Sequence, residues 1–102
     1  MNKEVTSKSD RIPEALRTYA AERVGALERF GEAFPKADIV LDSQNGSTSC
    51  EVVLHRHRGE PFVARETRHE PRLAVDGAVQ KLERQIVKFH ETHGHRGRRR
   101  EA

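Results

Sequence analysis

The sequence predicts a two-layer α+β sandwich of order β-α-β-β-β-α, a four-stranded sheet carrying two helices on one face. Three observations lead there. Two long segments repeat their apolar residues every three or four positions, the mark of a helix with one apolar stripe. Between them, three short segments switch to an extended pattern separated by turn residues. The chain has 102 residues, 34% of them hydrophobic and none tryptophan, which is enough for one domain that must bury nearly every apolar side chain. Striped helices and one-faced strands bury their apolar sides by packing as two layers. A strand ahead of the first helix then runs parallel to its neighbour through a right-handed crossover, and the other three strands form a meander.

Residues 1 to 7 are the first strand, weakly patterned, with Val5 its one strongly β-prone apolar side chain. From Ile12 the period is helical, through Leu16, Ala20, Val24, Leu27 and Phe30, with Tyr19 beside them. Pro13 and Glu14 suit a helix start, and Gly31 and Pro35 stop it. Gly25 lies inside this helix at a cost of about 1 kcal/mol relative to alanine. Ala37 to Leu41 reads as a buried strand, Ser43 to Ser47 as a turn, and Cys50 to His55 as the next strand. After a turn at Arg58 to Pro61 comes the strand Phe62 to Thr67, with Phe62 and Ala64 on one face and Val63 and Arg65 on the other. The second helix starts near Pro71 as its first residue and runs to about Thr92, burying Val75, Ala78, Val79, Leu82, Ile86 and Phe89. The domain is thus 1–92, and 93–102 is a basic tail, disordered on its own.

Charge is placed unevenly. The chain carries +3, and from Lys88 onward there are five basic residues against two acidic, while the rest balances at 14 against 14. A glycine-containing tail with Arg96, Arg98, Arg99 and Arg100 suits a polyanion, because each phosphate neutralised releases counterions. A solubilising terminus is the plainer reading. Nothing approaches the roughly 20 apolar residues of a membrane span, and MNKEVTSKSD has no apolar stretch for a signal peptide, so a cytoplasmic protein is expected. One cysteine, Cys50, can neither form an internal disulfide nor share a metal with a second thiol.

The polar side of the second helix is the most informative feature. At 100° per residue with Val75 at zero, the apolar side chains fall within about 60° of zero, whereas Lys81, Arg84 and Lys88 fall at about 240°, 180° and 220°. Such a ridge of cations, leading into a basic tail, can grip an RNA backbone; the alternative is a solvated helix face. Arg23 lies inside the apolar stripe of the first helix, so its stem is covered while its guanidinium passes the rim, either to meet a phosphate or simply to reach water. Six histidines raise a metal reading, with His55 and His57 on one strand face, but a catalytic site wants three ligands with fixed outer partners, and arginines surround these. There is no G-x-S-x-G, phosphate loop or H-E-x-x-H, so neither enzyme nor cofactor is expected.

Ile12-Pro13-Glu14-Ala15-Leu16-Arg17, then Arg23 and Leu27-Glu28-Arg29-Phe30, resemble the first helix of the ribosome hibernation-promoting factor and ribosome-associated inhibitor family. Leu73-Ala74-Val75-Asp76, followed by Lys81-Leu82-Glu83-Arg84-Gln85 and Lys88, resembles its second helix, an A-[IV]-D turn leading to K-L-x-R-Q-x-x-K. The likeness covers about residues 1 to 92. It implies a fold like that of double-stranded-RNA-binding domains. It also implies binding to the small ribosomal subunit in the channel of mRNA and of A-site and P-site tRNA, which silences translation and protects idle ribosomes in stress or stationary phase. The family's rRNA contacts carry over to Arg23, Lys81, Arg84 and Lys88, and Arg17 and Arg29 match positions often basic or polar.

Three departures stand out. The family's tyrosine before the A-[IV]-D turn is replaced around Arg72-Leu73, the first strand is more polar, and the tail is basic where some short members end acidic. Long members carry a second domain that pairs ribosomes, for which this sequence has no residues. A short form is therefore expected, unable to pair ribosomes unless a small partner protein helps. The competing readings are a general structured-RNA-binding module with no ribosomal target and a histidine-based metal hydrolase.

Overall fold

A computed structural model describes residues 1–30 and 32–101, with side chains as far as Thr92. The elements follow the predicted order: β1 (Asn2–Ser7), α1 (Glu14–Gly25) continued by a 3-10 turn (Ala26–Phe30), β2 (Lys36–Gln44), β3 (Ser47–His55), β4 (Phe62–Arg68) and α2 (Pro71–Glu101). The sheet order is β1-β2-β3-β4, with β1 parallel to β2 and the other pairs antiparallel. Both helices cover one face, as the two-layer prediction requires. The backbone of α2 runs on past the expected end near Thr92 to Glu101, through arginines that are good helix formers. The side chains of the basic tail 93–102 lie outside the described residues.

Local chemistry explains the boundaries. Asn45 and Gly46 both take positive φ, 54° and 76°, and Gln44 pairs with Ser47, so a two-residue turn joins β2 to β3. The polar residues flanking Asn-Gly therefore belong to the ladder, and both strands are longer than their apolar stretches suggest. Alternation along β3 buries Thr48, Cys50, Val52 and Leu54 under the helices and leaves Ser49, Glu51 and Val53 on the open face. Pro13 is the extended residue before α1, one place earlier than a first helical residue, whereas Pro71 does begin α2. Gly25 closes α1 where the helix tightens, and a Cβ there would come within 2.9 Å of Lys3 Nζ.

Ile39, Leu41, Val52 and Leu54 rise from the sheet to meet Leu16, Ala20, Val24 and Leu27 of the first helical segment and Val75, Val79, Leu82 and Ile86 of α2. Phe34, in the connection to β2, is buried as well and meets Phe62 edge-on at 6.3 Å, which in turn meets Phe89 at 5.9 Å. This aromatic corner closes the end of the core where α2 passes the β3–β4 loop. Among the described residues no helix is long and apolar enough to cross a membrane.

Candidate nucleic-acid interface

Each side of α2 has its own neighbour, and these neighbours sort its polar residues. The apolar stripe faces the sheet. Toward α1, Asp76 accepts hydrogen bonds from Tyr19 Oη at 2.6 Å and Arg23 Nε at 3.1 Å, and Glu83 pairs with Arg29 of the 3-10 turn at 2.8 Å. The Asp76 hydrogen bond raises the Tyr19 phenol above its usual pKa. Toward β4, Lys81 Nζ lies 2.8 Å from Glu66 Oε1 and donates to the Arg65 carbonyl at 2.8 Å, while Gln85 Nε2 donates to the Val63 carbonyl at 2.8 Å. Hydrogen bonds from Lys81 and then Arg68 lower the Glu66 pKa. The fourth side carries Arg84 and Lys88. Both are exposed, and among the described residues neither side chain makes an ion pair or hydrogen bond.

The predicted ridge is thus present but not uniform. Arg84 and Lys88 are free to meet a ligand, whereas Lys81 is exposed along its stem with its ammonium turned back to β4. Arg23 does leave the apolar stripe at the rim, and it ends on Asp76. Arg17 reaches β1, donating to Ser7 Oγ at 2.7 Å and the Val5 carbonyl at 3.2 Å. Arg29 lies 5.1 Å from the Phe30 ring centroid besides pairing with Glu83. Arg96, Arg98, Arg99 and Arg100 fall outside the described side chains. Glu83 bridges to the 3-10 turn, a tertiary contact that helical spacing does not reveal.

A shallow groove runs beside the free cations, lined by Phe30, Glu83, Arg84, Val87, Lys88 and Glu91. Val87 is the residue that sequence reasoning passed over. It lies at about 120° on the same wheel, outside the apolar stripe, and that misplacement was the available signal. Among the described histidines, His55 Nε2 is 2.8 Å from Asp38 Oδ2, His90 Nε2 is 3.1 Å from Glu32 Oε1, and His57 lies beyond the end of β3. Arg56, 12% exposed, pairs with Glu32 at 2.7 Å and lies 4.0 Å from the Phe89 ring centroid. Burial raises the Glu32 pKa, but hydrogen bonds from Arg56 and His90 outweigh it and leave that carboxyl below its usual value. Cys50 is buried, and burial pushes its thiol up to about 12, so it is protonated at neutral pH and a poor nucleophile.

Similarity to known proteins follows the same outline. The Ribosome hibernation promoting factor of Escherichia coli K12 is 27% identical over 88 residues, covering 86% of this chain and 92% of that protein. The protein of the same name from Azotobacter vinelandii is 28% identical over 80 residues, covering 78% of this chain and 74% of that one. The Protein Y N-terminal domain of Thermus thermophilus shares the fold at a TM-score of 0.76 and 24% identity, covering 87% of this chain and 99% of that domain. A ribosomal subunit interface protein of Coxiella burnetii shares it at 0.73 and 20%, covering 87% and 97%. The family model described as Sigma 54 modulation protein / S30EA ribosomal protein matches residues 4–93, and the chain belongs to that family.

Proposed function

We propose that this protein is a ribosome hibernation factor. It catalyses no reaction; it binds the small ribosomal subunit in the channel of mRNA and of A-site and P-site tRNA, so that translation stops and idle ribosomes are protected under stress or in stationary phase. The observation that carries this reading is the pair Arg84 and Lys88, exposed and without a partner among the described residues on a helix fastened on its other sides, in a chain similar to hibernation promoting factors over most of its length. Two free cations, i and i+4, standing on a rigid helix can meet successive phosphates without giving up an internal partner.

The unit that binds is 1–92, and the basic tail 93–102 adds phosphate contacts. Arg84 and Lys88 make the primary rRNA contacts. Arg23 and Arg29 stand at the rim between the helices, and Lys81 and Arg17 contribute less because their donors are occupied. Working on ribosomes places the protein in the cytoplasm, and pairing of ribosomes requires a second, small protein.

The test is binding to purified small subunits across a salt series. Each phosphate left without its cation should flatten the plot of log affinity against log salt by about one unit, so Arg84→Ala with Lys88→Ala should flatten it by about two. An unchanged slope contradicts the assignment. Equally tight binding to plain duplex RNA would favour the general RNA-binding module.

A further inference from the structure

A four-stranded open sheet has two borders, and each presents main-chain groups able to pair with another strand. Which residues present them follows from the ladder. Asn2 and Lys8 donate toward β2, to Pro35 and Leu41, so the even positions of β1 face the sheet and Val5 faces out. Carrying the alternation through β2, β3 and their registers leaves Val63 and Arg65 facing out from β4.

Those outward carbonyls are where the helices send side chains. Arg17 of α1 donates to the Val5 carbonyl, Lys81 of α2 to the Arg65 carbonyl, and Gln85 of α2 to the Val63 carbonyl. Further contacts hold two of these caps in place: Arg17 also meets Ser7 and Glu14, and Lys81 meets Glu66. Both borders are therefore capped at their centres by the helix packed above them.

We propose that Arg17 at one border and Lys81 with Gln85 at the other are edge guards, which keep a second copy of this chain from adding its strand to the sheet. Pairing across either border would have to displace one or two side-chain hydrogen bonds to the strand's own carbonyls before any strand-to-strand bond could form there. This inference does not rest on the ribosomal reading.

Sedimentation velocity over a wide concentration range tests it on the full chain. The wild-type protein should remain monomeric. Lys81→Met with Gln85→Leu, which keeps length and removes the donors, should give a concentration-dependent dimer or larger species. Adding Arg65→Pro should restore the monomer, since an outward amide in β4 is replaced without loss of a ladder bond and the proline bars pairing there. A folded, monomeric double variant overturns the proposal, and so does association that Arg65→Pro fails to relieve. Should the double variant not fold, Lys81→Ala with Gln85→Ala and, separately, Arg17→Met, each uncapping one border at the surface, give the same reading: self-association supports the proposal, and monomers throughout overturn it.

Discussion

Unlike Arg17, Arg23, Arg29 and Lys81, Arg84 and Lys88 are held by no carboxylate or carbonyl among the described residues. The sequence places them, since the 3.6-residue period alone puts both opposite Val75. It does not separate them from Lys81, whose partner on β4 lies 15 residues away in the chain and is set by the sheet register. Lys81→Met alone should therefore weaken RNA binding less than Arg84→Ala, a difference that binding at one moderate salt concentration checks. Asp76 is similar: its place in the A-[IV]-D turn is visible, but its Tyr19 and Arg23 partners come from a helix more than 50 residues earlier. Asp76→Ala strands both donors and should cost about 1–3 kcal/mol in urea unfolding, against about 1 kcal/mol for Tyr19→Phe. Glu32 adds a pH dependence. Its folded pKa is below the unfolded one, so the stability it contributes is present above about pH 4.3 and lost as pH falls through the lower folded value. The stability difference between wild type and Glu32→Gln should shrink over that acid window, and a difference independent of pH would contradict it.

Among the elements, the helices were legible in outline because both carry their stripes through several turns. Tightening of the first into a 3-10 turn at Ala26–Phe30 was not, since the apolar spacing continues across Gly25. The β-strands look short in the sequence because Asp42, Ser43, Gln44, Ser47 and Ser49 resemble turn residues, although the Asn45-Gly46 turn alone reverses the chain. A close approach of α2 to the sheet occurs at Gly77, where a Cβ would lie 2.6 Å from Glu66 Cγ and 3.3 Å from Glu66 Cβ. That approach sets the height of α2 over β4 and thereby the reach of Lys81 to Glu66. In an open helix, Gly→Ala would gain about 1 kcal/mol, but here it must displace a held side chain, at about 1–3 kcal/mol. Gly77→Ala should therefore destabilise the protein, and thermal unfolding showing a raised Tm would refute this account of the interface.

At the scale of the whole molecule, Arg84 and Lys88, clear of internal partners among the described residues, stand together on the outer face of α2, and further basic residues follow them in the sequence. The surplus of charge from Lys88 onward was readable by counting. The division of the remaining cations into paired and free was not, because pairing depends on which helix lies over which strand. Removing residues 93–102 should weaken binding to small subunits and flatten its salt dependence further, by about one unit for each phosphate no longer neutralised, while leaving the fold of 1–92 unchanged by circular dichroism. The most direct measurement is co-sedimentation of the pure protein with small ribosomal subunits across a salt series, with and without mRNA and initiator tRNA. Stoichiometric, salt-sensitive binding, displaced by those competitors and weakened by Arg84→Ala with Lys88→Ala, is the predicted result; binding indifferent to both competitors and substitutions, or no binding, would contradict it.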